Sequence, residues 1–194
     1  HVTAPVGWIN DPNGFSAYQN KYHLFYQYHP YSDVWGSMHW GHCTSCDFIK
    51  WDDLPVAIAP DENYDANGCF SGSAIETDEG HALVYTGLLE KEENGKKKIS
   101  QNQCLAFGDG EANKKYGNNP IIDGNMRPEG FSREDFRDPK IWYDDNMFYL
   151  VAGSRKSDGL GQVVLFKSEN LRNWQYVSVL AENNGRYGKM WECP

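Results

Sequence analysis

The chain lacks the features that would tie it to a membrane, a nucleic acid or a disulfide framework. No run of about 18 apolar residues occurs, so no segment reads as a membrane-spanning helix. Long helical periodicities are missing too, which points away from helix bundles. Positive charge is scarce: 18 Lys and Arg stand against 27 Asp and Glu, a net charge of −9. A nucleic-acid binder would normally carry a basic face, so that partner is discounted. The one basic cluster, Lys96-Lys97-Lys98, follows Glu90, Glu92 and Glu93 and reads as a solvated hairpin tip. The five cysteines, Cys43, Cys46, Cys69, Cys104 and Cys193, form no even framework. They read as reduced thiols, which predicts a cytoplasmic setting with secretion as the alternative. No Asn-x-Ser/Thr glycosylation sequence occurs either. The chain opens at His1 without a signal segment, so its natural N-terminus is expected upstream.

What is present is aromatic weight and short strands. Hydrophobic residues make up 40% of the 194 positions and aromatics 14%, with 7 Trp and 12 Tyr. That load favours β structure and stacking surfaces. Strands are predicted at 22–28, 38–46, 82–86, 103–107, 140–143, 147–152 and 163–167, and a further short segment ends at Ile49-Lys50-Trp51. Gly, Asn and Asp turns separate them, the pattern of a sandwich, barrel or propeller.

An imperfect repeat selects the propeller. Asp11-Pro12 precedes the strand Tyr22-His23-Leu24-Phe25-Tyr26, and Asp138-Pro139 precedes Phe148-Tyr149-Leu150-Val151. Later in each unit comes Ser-x-Asp/Asn-apolar-x-x-Trp, at 45–51 and 168–174. The Asp-Pro pairs lie 127 positions apart and the Trp pair 123. A more divergent unit near Phe70 to Pro120 would make the repeat roughly 60 residues, long for a four-stranded blade but workable with long loops. The competing architecture is a complete β-sandwich, which also has many short strands at this spacing. In the propeller the first strand of each blade lines the channel. Asp11 and Asp138 then face the axis, and Glu192, between Trp191 and Cys193-Pro194, opens the next unit.

The stretch Trp8-Ile9-Asn10-Asp11-Pro12-Asn13-Gly14 is the centre of this layout. Asp-Pro-Asn-Gly reads as a turn that holds Asp11 at a strand end. Three acids meeting in one funnel repel one another, which raises at least one pKa, and the Trp191 indole is expected to raise Glu192 further. One ionised and one protonated carboxyl is the equipment for glycoside hydrolysis. Singly, each feature has a plainer reading: a common β-turn at Asp11, a surface ion pair at Arg137-Asp138, a solvated acid at Glu192. Trp51 and Trp174 are expected to pack in the core.

Trp8–Gly14 resembles the signature of glycoside hydrolase family 32, the β-fructofuranosidases (invertases, sucrose-6-phosphate hydrolases, fructanases). Phe70-Ser71-Gly72-Ser73, Phe136-Arg137-Asp138-Pro139 and Trp191-Glu192-Cys193-Pro194 resemble three other blocks of that family. Trp35-Gly36, His39-Trp40-Gly41-His42 and Leu54–Pro60 match as well, and the four main blocks fall in order at suitable spacing. The resemblance implies an all-β fold, a five-bladed β-propeller followed by a β-sandwich. Residues 1–194 would be the N-terminal portion of the catalytic propeller, about three blades and the start of a fourth, without the C-terminal blades and the sandwich. Three blades do not close a ring, so the isolated piece is expected to be inactive or poorly folded.

Carried over position by position, the resemblance implies three catalytic residues. Asp11 is the nucleophile that forms a covalent fructosyl-enzyme, and Glu192 the acid and then base. Asp138 hydrogen-bonds two ring hydroxyls and stabilises the oxocarbenium-like transition state. Arg137 would fix the Asp138 carboxylate and touch a sugar hydroxyl, while Cys193 would tune Glu192. Asn10, Gln27, Trp35, Phe70 and Ser71 match fructose-pocket positions, amides and a hydroxyl for sugar OH groups and rings for its apolar face. A retaining pair of carboxyls stands about 5–5.5 Å apart. The implied substrate is a terminal β-fructoside, with glucose, glucose phosphate or a fructan chain as the leaving group, and no cofactor is called for.

One rival constellation is His39-Trp40-Gly41-His42-Cys43-Thr44-Ser45-Cys46, with two His and two Cys at metal-like spacing. On a strand these four would point to opposite faces, so no metal is expected there. Two functional alternatives remain. Fructosyl transfer uses the same intermediate and is told apart by oligosaccharide products at high sucrose. A non-catalytic carbohydrate-binding propeller is disfavoured by the three acids.

Overall fold

The computed structural model describes residues 1–132 and 134–194, whose regular elements are twelve β-strands in three antiparallel sheets. The first sheet runs β1 (Trp8–Tyr18), β2 (Lys21–His29), β3 (His39–Ser45), β4 (Asp52–Ile58). The second runs β5 (Gly68–Thr77), β6 (Gly80–Glu93), β7 (Lys96–Gly108), β8 (Asn113–Lys115). The third runs β9 (Phe131–Asp144), β10 (Met147–Lys156), β11 (Gly161–Ser168), β12 (Gln175–Glu182). Each sheet is a four-stranded meander in chain order, the form of a propeller blade. The innermost strands are neighbours, β5 lying against β1 on one side and β9 on the other.

Packing explains why β6 reads as an unbroken apolar run. Its sheet is covered on both faces, so alternate residues enter different cores. Ala82 and Val84 join Leu105, Phe136, Ile141, Leu150 and Phe166 between the second and third blades. Leu83 and Tyr85 join Phe25, Trp40 and Ala74 between the first and second. On the far face of the first blade, Val2 and Ala4 of the N-terminal segment cover Tyr26, Tyr28 and Cys43.

The repeated Ser-x-Asp/Asn sequence is a turn joining the third and fourth strands of a blade. Ser45 Oγ accepts the N–H groups of Asp47 and Phe48, and Asp47 Oδ1 accepts those of Ile49 and Lys50. Asn170 Oδ1 repeats this with Arg172 and Asn173. Phe48 and Leu171 both sit at φ 62°, and the Trp51 and Trp174 indoles donate back to their carbonyls. Ile49-Lys50-Trp51 is therefore turn and not strand, a correction to the sequence reading. The strand after it, β4, carries Pro55 on the outer edge of its blade, where a missing donor costs no ladder bond.

A second correction concerns Asp11-Pro12-Asn13-Gly14, which is no reverse turn. It lies inside β1, whose pairing with β2 slips by one residue between Ile9 and Pro12 and again between Asn13 and Ser16. These are β-bulges, and Pro12 is tolerated at one because its nitrogen owes no ladder bond. Gly14 adopts φ 52° against the core, where a Cβ would come within 2.7 Å of the Phe25 ring.

Below the second bulge lies a buried histidine cluster, His23, His42 and His81, with at most 1% exposure. His23 Nε2 donates to the Tyr18 carbonyl, so in the neutral ring its Nδ1 accepts from His42 Nε2 at 2.9 Å. Ser16 Oγ donates to the Gly14 carbonyl and accepts from His81 Nε2. The remaining Nδ1 atoms of His42 and His81 are buried without a partner, tolerable for a lone pair but not for an N–H. Burial, and then the neighbouring His23, push the pKa of both down to about 3. The unfolded chain takes up these protons below about pH 6.5 and the folded chain does not until far lower. Stability should therefore fall as pH drops from about 6.5 towards 3, the pair giving a slope near its steepest of about 3 kcal/mol per pH unit. Urea unfolding midpoints measured from pH 7 to pH 4 test this, and His42→Gln with His81→Gln should flatten the curve.

Candidate active site

Bulges recur at the same level of every innermost strand. In β1 the surplus falls at Asn10 and Asp11, in β5 at Ser71, and in β9 at Asp138 and Pro139. A bulge re-aims a side chain that regular alternation would send elsewhere. Here the re-aimed side chains border one cavity of about 220 Å³, lined by Asn10, Asp11, Gln27, Trp35, Phe70, Ser71, Arg137, Asp138 and Glu192. All nine residues singled out in the sequence thus meet in one place, and the volume suits a single sugar ring.

The polar groups are already oriented. Ser71 Oγ donates to Asp11 Oδ2 at 3.1 Å, a bond from the second blade to the first. Gln27 is buried and spends its Nε2 on the Cys69 carbonyl at 3.0 Å. Asn10 Oδ1 accepts from the Trp8 indole at 2.8 Å. Trp35, 55% exposed, stands edge-on to Phe70 with ring centroids 6.1 Å apart.

Asp138 is the buried acid of the group. It sits at φ 62°, a conformation that a non-glycine residue holds only when its surroundings impose it. Those surroundings come from the second blade. Thr86 Oγ1 accepts the Asp138 N–H at 3.0 Å and donates to Gln103 Oε1, while Ser73 Oγ donates to the Pro139 carbonyl. Gln103 Nε2 donates to the Phe136 carbonyl and Gln101 Oε1 accepts the Phe136 N–H. Burial pushes the Asp138 pKa up to about 6, with the Glu192 and Asp11 charges adding to it and the Cys193 N–H and Arg137 opposing it.

Three expectations are corrected or extended here. Arg137 does not fix Asp138: its Nε and Nη2 both donate to Glu192 Oε1, at 3.0 and 2.8 Å. Burial works against this guanidinium, but its bonds to Glu192 and Asp135 prevail and its pKa is raised. Cys193 is fixed on Asp138, its backbone N–H donating to Asp138 Oδ2 at 3.0 Å, while its thiol meets the charges of Asp138, Asp11 and Glu192 together. The Trp191 indole does not bury Glu192. It donates to the Tyr187 carbonyl, and the Glu192 side chain is 61% exposed. The chain reaches Glu192 over Gly153, where a Cβ would stand 2.0 Å from the Trp191 carbonyl oxygen.

The histidines and cysteines at 39–46 diverge. His39 bonds the Ser37 carbonyl, His42 bonds His23, Cys43 donates to the Leu24 carbonyl, and Cys46 is exposed past the strand end.

Sequence reasoning missed Thr86, Gln101, Gln103 and Asp135. A signal existed: Gln101-Asn102-Gln103 is a polar run directly before Cys104-Leu105-Ala106, and all three are buried. Asp135 lies two residues before Arg137, close enough in the chain to be a candidate partner for it.

The chain matches the model of the glycosyl hydrolases family 32 N-terminal domain over residues 1–194. It is 41% identical to a sucrose-6-phosphate hydrolase of Zymomonas mobilis, covering 100% of this chain and 39% of that protein. It is 42% identical to a raffinose invertase of Escherichia coli, covering 100% and 40%. Among solved structures, a GH32 β-fructofuranosidase of Bombyx mori superposes with a TM-score of 0.90 at 45% identity, covering 100% of this chain and 40% of that one. A mutant of that enzyme in complex with sucrose superposes equally, with a TM-score of 0.90. The chain therefore spans about two fifths of the length of these relatives.

Asp138 has a folded pKa above its unfolded value, so it favours the fold when protonated. That contribution is full below about pH 4 and lost as pH rises through about 6. Asp138→Asn, which keeps the shape without the charge, should raise stability at pH 7 by up to about 3 kcal/mol. Thermal unfolding at pH 7 and pH 4 checks it, the gain shrinking at the lower pH.

Proposed function

The chain belongs to glycoside hydrolase family 32, and from that membership and the cavity we propose that the whole protein hydrolyses terminal β-D-fructofuranosides with retention of configuration. The observation that carries the reading is the meeting of Asp11, Asp138 and Glu192 around one sugar-sized cavity with Ser71, Gln27 and Trp35.

Asp11 attacks the anomeric carbon as the bond to the leaving oxygen breaks, forming an ester between the fructosyl unit and its carboxylate. Ser71 holds Asp11 Oδ2, so Oδ1 is the oxygen free to attack. Glu192 gives its proton to the departing oxygen, leaving a free alcohol and a carboxylate. Both Arg137 bonds fall on Oε1, so Oε2 carries that proton. The Glu192 carboxylate then takes a proton from water while the water oxygen attacks the ester. Fructose leaves, and Asp11 and Glu192 return to their starting states. Asp138, ionised above about pH 6, binds ring hydroxyls and balances the positive charge that develops on the ring.

In this reading residues 1–194 are the N-terminal part of a five-bladed catalytic propeller, and further blades wall the other side of the cavity. The relatives include a sucrose-6-phosphate hydrolase, a raffinose invertase and a levanase, which is why the assay spans several fructosides.

In the whole protein, Asp11→Ala should lower fructose release by at least about 1,000-fold. The assay uses a panel of sucrose, sucrose-6-phosphate, inulin and levan. Proton NMR of the first product should show the β-anomer; appreciable turnover by Asp11→Ala overturns the assignment.

A further inference from the structure

In the proposed reaction Glu192 must move a proton twice, so the orientation of its carboxyl matters. It follows β12, and among the described residues Arg137 alone hydrogen-bonds its carboxylate. Its aim is thus the aim of the Arg137 guanidinium, and what fixes that plane bears on the chemistry.

A guanidinium offers five N–H donors in a rigid fork. Nε and the adjacent Nη2 form the edge that faces Glu192. The opposite nitrogen, Nη1, donates to Asp135 Oδ1 at 3.2 Å and to Gln101 Oε1 at 3.3 Å. Asp135 is held in turn. Its Oδ2 pairs with Arg155 Nη2 and accepts from Ser132 Oγ at 3.3 Å, and its N–H donates back to Ser132 Oγ. The segment bulges: between Phe131 and Phe136, β9 has more residues than β10 pairs with. Asp135 is 19% exposed on its side chain and Arg137 16%, so water screens this pair less than a surface pair.

We propose that Asp135 is a positioning residue for the acid–base step, holding one end of Arg137 so that the other end grips a single oxygen of Glu192. The inference rests on the fructoside-hydrolase reading above. Asp135 also lies between two cations, so its loss leaves Arg137 and Arg155 with no carboxylate between them. Arg137 is then drawn wholly onto Glu192 or swings away from it, and in either case Oε2 no longer meets the leaving oxygen in register.

Leaving-group chemistry provides a test that a merely structural role would not pass. Sucrose needs its departing oxygen protonated, whereas a nitrophenyl β-D-fructofuranoside releases a stable phenolate with little help. In the whole protein, kcat/KM of Asp135→Ala and of Asp135→Asn is compared with wild type on both substrates, with melting temperatures as the folding control. The expected result is a loss of about tenfold on sucrose, a fraction of what a positioned acid supplies, and a change within about twofold on the aryl fructoside. An equal loss on both substrates, or no loss on sucrose in a folded variant, overturns the proposal. Glu192→Ala separates the two levels of inference. If it too spares sucrose hydrolysis, the catalytic reading fails; if it alone shows the selective loss, only the role of Asp135 fails.

Discussion

Each innermost strand carries at least one residue more than its neighbour can pair with, and the cavity depends on that surplus. A regular strand sends successive side chains to opposite faces, so its edge on the channel cannot concentrate function. The added residue breaks the alternation at Asp11, Ser71 and Asp138, one per blade, and turns each toward the axis. The cost is local: a lost ladder bond at each bulge and a positive φ at Asp138. The proline after Asp11 and after Asp138 fits this arrangement, since it owes no N–H to the ladder.

The three acids occupy different electrostatic settings. Asp138 is enclosed and carries its charge against the preference of its surroundings. Asp11 is exposed and held by one hydroxyl, and Glu192 is exposed and held by one guanidinium. Three carboxylates around one hollow would repel without these partners. Arg137 serves two of them, bonded to Glu192 and close enough to Asp138 to oppose its rise in pKa. Its bonds to Asp135 and Gln101 keep it from collapsing onto either.

Much of this was legible in the chain because repeats are legible. The matched turns at Ser45–Trp51 and Ser168–Trp174 fold alike down to the φ of Phe48 and Leu171. The paired Asp-Pro sites fall at matching bulges of β1 and β9. What could not be read was direction. Asp-Pro-Asn-Gly has turn chemistry, and only pairing with β2 shows that tertiary contacts stretch it into a bulged strand. Likewise, Arg137 stands beside Asp138 in sequence yet bonds Glu192, because neighbours on a strand point apart while distant residues converge. The Trp191 indole lies next to Glu192 and faces away for the same reason.

The second blade supplies none of the three carboxylates around the cavity and yet holds the other two blades in register. Ser71 reaches back to Asp11, while Ser73, Thr86, Gln101 and Gln103 reach forward to β9. These polar groups are nearly all buried, and burying them is tolerable only because each is paired across a blade boundary. The pairing is reciprocal in its effect: the Asp138 conformation satisfies Thr86 and Ser73 orders the Pro139 carbonyl, so neither side relaxes without leaving a buried donor or acceptor unmet. A hydrophobic interface between blades would tolerate sliding by a fraction of an ångström, since apolar contact is non-directional. Hydrogen bonds are directional, and the reaction proposed for this cavity, with an attacking oxygen and a proton donor on two sides of one carbon, requires that directionality. The middle blade is the element that ties Asp11 of the first blade to Asp138 of the third.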